Sequence, residues 1–289
     1  MIRNLDIATL RSLQAVAEYG GVTRAAEALN MTQSALSMQM RRLEELFGRP
    51  MLERAGRGVN LTDFAQDLLG ESRKLVALND SILSRFTGAL PEMRLRVGLT
   101  SDWLFDRVAQ AVRAFRTENP QVELVINDAR SKDLRLQMRR GEHDVILTTE
   151  FDAPPGAIHL AKVDLAWFGA IGGSAWRERP LPIANSPHCA YYPVGMAALE
   201  DAGIAWTQVV GEGGSDTWRV LAAADLGLTL LPRGIFTPGL EVVEHGGALP
   251  PLPPTWLNVY VADGPARAVA ADFAGYLRRA VCDVVAAAA

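Results

Sequence analysis

The segment MTQSALSMQMRR, residues 31–42, holds side chains suited to reading a surface rather than reacting with one. The Gln33 amide donates and accepts in one plane, matching the N6 and N7 edge of adenine, and the short hydroxyls of Ser34 and Ser37 can reach base edges or phosphates. Arg41 and Arg42 suit phosphate. No Asp or Glu occurs from Met31 to Met40, the pattern of a surface that must approach phosphates. A solvated helix face would be polar too, so the surrounding elements have to decide. A second set, Thr100, Ser101, Thr148 and Ser215, lies at the ends of apolar runs and could hydrogen-bond a small ligand, with Trp103 and Trp218 as aromatic walls. Each hydroxyl suits a helix cap equally well, and each indole a core. Enzyme constellations are poor: there is no GxGxxG, phosphate-binding GxxxxGK or GxSxG, and His143, His159, His188 and His245 lack metal-ligand spacing. Cys189 and Cys282 are too few and too far apart for a disulfide framework or a CxxC site. Cys189 stays open to two readings, thiol sensor or small buried residue.

The elements that must position the first set are helical. Leu10, Leu13, Val16 and Ala17 share one face of a first helix that stops at Gly20-Gly21. Thr23 is placed to cap a short second helix, with Ala25, Ala26 and Leu29 inward, ending at Asn30. Thr32 starts a third, whose apolar stripe Leu36, Met40, Leu43 and Phe47 is closed off by Gly48-Arg49-Pro50. Two helices joined by a three-residue turn can lay the second in a major groove. Residues 51–61 read as a hairpin with Arg54 and Arg57 at or near its tip. From Thr62 to Phe86 a helix of roughly 37 Å carries Phe64, Leu68, Leu75, Leu78, Ile82 and Phe86 near one face. A helix that long cannot bury its stripe against so small a domain, and pairing with a second copy is the cheapest remedy.

Gly88-Ala89-Leu90-Pro91 marks a boundary, after which strand-like runs and helical patterns alternate, a parallel-sheet pattern. Ligands of open α/β sheets bind beyond the carboxyl ends of strands, where Thr100, Ser101 and Thr148 fall and where the Gly213–Thr217 turn precedes a helix. The acids Asp102, Glu150 and Asp216 make that rim less inviting to simple anions. The chain carries a formal charge of −4, unevenly spread: eleven Lys/Arg against ten Asp/Glu over residues 1–90, eighteen against twenty-three beyond. Arg24, Arg41, Arg42, Arg49, Arg54 and Arg57 give the first part a mild basic bias. Arg3, Asp6, Arg11 and Glu18 break any signal-peptide run, and no window approaches a membrane span, so a soluble, cytoplasmic protein is expected.

The run VTRAAEALNMTQSALSMQMRRLEELFG, followed by MLER, VNLT and a long helix, resembles the N-terminal half of LysR-type transcriptional regulators, and the later alternation resembles their effector-binding domain. The likeness is specific over Ala25–Thr62 and architectural beyond. It implies an α+β and α/β chain: a winged helix-turn-helix over 1–61, a linker and dimerisation helix over 62–87, and a two-lobed, Rossmann-like, periplasmic-binding-protein-like effector domain over 92–289. Lobe 1 would span about 92–160 and 255–289, and lobe 2 about 161–254. By position it assigns DNA contact to Arg24, Thr32, Gln33, Ser34, Ser37, Arg41, Arg54 and Arg57. It assigns effector contact to Thr100, Ser101, Trp103, Thr148, Ser215 and Trp218. Implied partners are double-stranded DNA with an imperfect palindromic operator, a small-molecule effector, further copies of the chain in a dimer or tetramer, and RNA polymerase. No cofactor and no catalysis are expected. Two departures from the family pattern are Met51-Leu52 in place of Leu-Phe and Ala65 in place of Gly. The rival reading is a small-molecule-binding protein or enzyme on a two-lobed α/β fold with a helical dimerisation module.

Overall fold

The computed structural model describes residues 4–55, 58–87, 93–100, 106–211, 217–235 and 237–288. Helix α1 (Ile7–Tyr19) is capped by Asp6, whose carboxylate accepts from the amides of Ala8 and Thr9, and it ends on Gly20 in the left-handed conformation. Helix α2 (Val22–Ala28) begins on Gly21 without a side-chain cap, so Thr23 lies inside the first turn rather than at the cap expected of it. Asn30 takes the left-handed turn at φ 53°, a conformation its short polar side chain tolerates. Thr32 caps α3 (Gln33–Phe47), its hydroxyl accepting from the Ala35 amide at 3.2 Å. Leu10, Leu13, Val16, Ala25, Ala26, Leu36, Met40 and Leu43 close one core. Phe47 falls outside it, exposed but edge-on to Phe64 with ring centroids 5.6 Å apart.

Strands β1 (Leu52–Ala55) and β2 (Gly58–Leu61) form the antiparallel wing, with Leu52 opposite Leu61. It is tied down by the Met51 amide donating to Glu44 Oε1 at 2.9 Å and by Thr62 Oγ1 donating to the Pro50 carbonyl at 2.8 Å. Met51 and Ala65 are both fully buried, so the core accommodates the two departures from the family pattern. Helix α4 (Asp63–Thr87) has two apolar faces. Ala65, Leu69 and Val76 pack with the α1 core, and Ser72 bridges to it, donating to the Leu10 carbonyl and meeting Gln14 Nε2 at 3.1 Å. Leu75, Leu78, Ile82 and Leu83 remain exposed.

Beyond α4 come β3 (Met93–Leu99), α5 (Asp106–Glu118), β4 (Val122–Asp128), α6 (Ser131–Arg139), β5 (Val145–Glu150) and β6 (Ile158–Val163). They share a five-stranded sheet, ordered β4-β3-β5-β12-β6, with the late strand β12 (Thr255–Val261). β3, β4 and β5 are parallel, while β12 runs antiparallel to both β5 and β6. The sheet is therefore mixed, and the lobe boundary expected at residue 160 falls inside β6. Helix α9 (Arg267–Ala288) packs with α5 on one face, where Phe115 meets Phe273 and Tyr276 edge-on at 5.0 and 5.5 Å.

Between β6 and β12 the chain builds a second unit from β7 (Leu165–Ala170), β8 (Leu181–Ile183), α7 (Tyr192–Asp201), β9 (Trp206–Gln208), α8 (Thr217–Ala223), β10 (Thr229–Pro232) and β11 (Leu240–Val242). β7 lies between β10 and β11, both antiparallel to it. β8 pairs parallel with β9, and a bridge from Ile183 to Leu228 joins this pair to the start of β10. Strands β6, β8 and β11 carry no sequence pattern strong enough to announce them. β8 and β11 are three residues long, and β6 has one fully buried position in six.

Candidate functional site

The exposed face of α3 is set by three local facts: the cap at Thr32, the left-handed turn at Asn30 and the buried stripe behind it. Gln33, Ser34, Arg41 and Arg42 are exposed and Ser37 half-buried. Thr32 is committed to the helix: its hydroxyl holds the Ala35 amide and sits 3.0 Å from Ser34 Oγ. Arg24 donates to the Gly20 carbonyl at 2.8 Å, which occupies part of its guanidinium on the α1 C-terminus, a favourable place for a cation. Gln39, polar in sequence, faces inward and accepts from Ser12 Oγ. In its place an apolar residue stands outside, since Met38 is 57 % exposed, and nothing in the polar pattern announced it. Arg54 lies in β1 opposite Val59. Arg57 lies outside the described residues.

The second set gathers at the carboxyl ends of β3, β4 and β5. The Thr100 amide donates to the Leu147 carbonyl at 3.1 Å, the Ala129 amide to the Leu99 carbonyl at 3.2 Å, and the Thr149 amide to Ser131 Oγ at 2.9 Å. Thr100, Ser131 and Thr149 thus line one sheet edge. Thr149 is 4 % exposed and its hydroxyl has no hydrogen-bond partner among the described residues, a cost the fold bears unless something else answers it. Thr148 is turned away, fully buried with its hydroxyl 3.4 Å from the Asn258 carbonyl. Strand alternation makes its neighbour Thr149 face the other way. Trp218 is half-buried and packs on Phe168, Leu231 and Val210, so it belongs to the second unit's core rather than to an open wall. Ser101, Trp103 and Ser215 lie outside the described residues. Ser131 was not legible from the sequence, because its role depends on the neighbouring strand β5.

Glu150 is not a bare acid on this rim. Arg135 Nη1 lies 3.0 Å from its Oε1, and Asn258 Nδ2 and Tyr260 Oη donate to its Oε2 at 2.6 and 2.7 Å. His159 Nδ1 sits 2.9 Å from Asn258 Oδ1. Burial, then the hydrogen bond to Glu150, push the Tyr260 phenol well above its ordinary range. The carboxylate is therefore ion-paired and hydrogen-bonded inside a network that joins α6, β5, β6 and β12.

The profile described as "Bacterial regulatory helix-turn-helix protein, lysR family" matches residues 7–66, and that described as "LysR substrate binding domain" matches residues 88–282. The chain belongs to the LysR family of transcriptional regulators. It is a DNA-binding regulator with an effector-binding domain, and its relatives are transcription regulators. This LysR regulator is 27% identical over 252 residues to the HTH-type transcriptional regulator DgdR of Burkholderia cepacia, covering 87% of this chain and 86% of that one. The solved structure of ArgP from Mycobacterium tuberculosis has the same fold, with a TM-score of 0.69 at 19% identity over 96% of this chain and 97% of the other. So does CbnR in complex with its target DNA, with a TM-score of 0.57 at 18% identity over 96% and 100%.

One further contact in the LysR regulator joins its helical N-terminal part to its sheet part. A Cβ on Gly70, in the N-terminal third of α4, would lie 3.0 Å from the Arg140 carbonyl carbon, and one on Gly141 would lie 3.0 Å from the Gly70 oxygen. Two backbones meet there with no room for a side chain. Arg73, one turn on, donates to the Arg140 carbonyl at 3.0 Å. From the other side Arg96 holds the same loop, donating to the Gly141 carbonyl at 2.6 Å and pairing with Asp144 at 2.7 Å.

Proposed function

We propose that this regulator reads duplex DNA with Gln33, Ser34 and Ser37, while Arg41, Arg42 and the wing arginines Arg54 and Arg57 contact phosphates and Arg24 and Thr32 support the helix ends beside them. The observation that carries this reading is the exposed face of the first turns of α3, free of Asp and Glu from Met31 to Met40, presented by a capped helix-turn-helix whose core is complete without it. A second copy pairs through the exposed stripe of α4, and two-fold pairing calls for half-sites about one helical turn apart, as in an imperfect palindrome; a tetramer would be two such pairs. The solved complex of CbnR with its target DNA, on the same fold, supports the reading of a DNA-binding chain. The role is cytoplasmic and non-catalytic, with RNA polymerase as a further partner.

The effector binds where Thr100, Ser131 and Thr149 converge, with the Thr149 hydroxyl free to meet a polar group on it. Helix α6 carries the consequence. Its first residue, Ser131, holds the Thr149 amide, Arg135 holds Glu150, and its last turn delivers the Arg140 carbonyl to Arg73 of α4. Nine residues of helix span roughly 13 Å, so a displacement at the sheet edge is transmitted to the linker helix. An effector can bias the arrangement only by its differential affinity for the two placements.

The decisive measurement is binding of the full chain to the duplex upstream of its own gene, against a scrambled duplex of equal length. Log affinity is expected to fall with log salt, Arg41→Ala to flatten that slope by about one unit, and Gln33→Ala to weaken the specific duplex while sparing the scrambled one. Equal affinity for both duplexes at physiological salt would rule out specific reading. For the effector, a thermal-shift screen of aromatic and organic acids is expected to yield a hit whose stabilisation is lost in Thr149→Val. A hit that persists in both Thr149→Val and Thr100→Val binds elsewhere.

A further inference from the structure

Met38 breaks the polar row of α3. It is 57 % exposed, one turn after Ser34 and one turn before Arg42. The helix is held by Leu36, Met40 and Leu43, all at most 2 % exposed, so Met38 adds nothing to the helix-turn-helix core. On the face turned to DNA in the reading above, that thioether is free to bury itself against an apolar counterpart.

We propose that Met38 is a specificity-determining side chain that packs its thioether on the C5-methyl group of a thymine. Among the four bases only thymine shows an apolar group in the major groove. Methionine, with three rotatable bonds and a polarisable sulfur, can follow that methyl through small changes of docking angle. The spacing sets where the thymine lies. From Ser34 to Met38 the helix rises about 6 Å, close to two base-pair steps of about 3.4 Å, so the thymine sits about two base pairs from the pair met by Gln33 and Ser34. Polar neighbours leave the contact well defined: Ser37 beside it and Arg41 and Arg42 beyond offer hydrogen bonds, not apolar area.

This inference rests on the reading of α3 as the DNA-reading helix, and the experiment separates the two. Full-length wild-type protein and Met38→Ala are each taken through selection from a random duplex library, and thymines of the wild-type consensus are then replaced singly by deoxyuridine, which removes only the methyl group. Burying one methyl is worth roughly a fourfold change in affinity. The expected result is one thymine per half-site whose replacement weakens wild-type binding roughly fourfold and leaves Met38→Ala binding unchanged, with the base preference at that position relaxed in the variant. Because Met38 is exposed, thermal melting of the variant should match wild type. If every deoxyuridine replacement costs wild type and Met38→Ala the same while both keep one consensus, this proposal fails and the reading of α3 stands. If wild type selects no sequence at all, both fail together.

Discussion

His143, just before β5, is 2 % exposed, with Nε2 3.0 Å from Gln137 Oε1 and no partner for Nδ1 among the described residues. Burial pushes its pKa down to about 4, the Arg96 guanidinium adds to the fall with a smaller contribution from Arg73, and Asp144 opposes them. The unfolded chain therefore takes up a proton near pH 6.5 that the folded chain refuses until about pH 4, so stability is lost as pH falls through that window. The difference amounts to about 3 kcal/mol at the acid end. Urea midpoints measured from pH 7 down to pH 4.5 should fall, and His143→Gln should flatten that fall; a profile identical to wild type would show that other groups carry the acid sensitivity. The same scale explains which site residues the sequence could nominate. Gln33 and Ser34 were legible because their exposure follows from the helix period and the cap at Thr32 just before them. Thr148 and Thr149 were not separable, because which of two adjacent hydroxyls is taken by the Asn258 carbonyl depends on a strand more than a hundred residues away.

Helix α4 shows how far periodicity reaches. Its apolar positions predicted a helix of the observed length, but the single stripe expected from Phe64 to Phe86 divides: Phe64 and Leu68 pack against the α1 core, while Leu75, Leu78, Ile82 and Phe86 are exposed. What the pattern did not separate is the second face, Ala65, Leu69 and Val76, which the protein's own α1 covers. With one face covered and the other bare, the pairing surface proposed above would be confined to the later turns. Ile82→Glu places a charge in that seam, which a buried interface tolerates poorly. The expected outcome in sedimentation is dissociation at micromolar concentration with helical content retained; a variant still dimeric would move the dimer contact elsewhere. In the sheet part, β3 and β5 read as strands because apolar runs fill their buried positions up to Leu99 and Leu147, whereas β4 and β6 show one buried position each and are held by pairing with β3 and β12.

At the scale of the whole chain, the contact of Gly70 with Gly141 couples linker helix and effector domain. Glycine in an exposed helix interior is about 1 kcal/mol worse than alanine, so Gly70→Ala would ordinarily stabilise. Here its Cβ would lie 3.0 Å from a backbone carbonyl carbon, and the expected outcome is a lower melting temperature. The variant should also keep DNA binding while losing part of the change in DNA affinity caused by any compound that stabilises wild type. A raised melting temperature with an undiminished response would mean the two backbones have room to part without consequence.

By itself the sequence determined the helix-turn-helix, the wing, the long helix and the alternation behind them, because caps, turns and apolar period act over a few residues. Only the tertiary structure decided that Gln39 faces Ser12, that Glu150 is paired with Arg135 and hydrogen-bonded by Asn258 and Tyr260, that Ser131 joins Thr149, and that Met38 is exposed on the outer face of α3. Each of these depends on which distant backbone or side chain answers a polar group, and that partner is supplied by packing rather than by spacing along the chain.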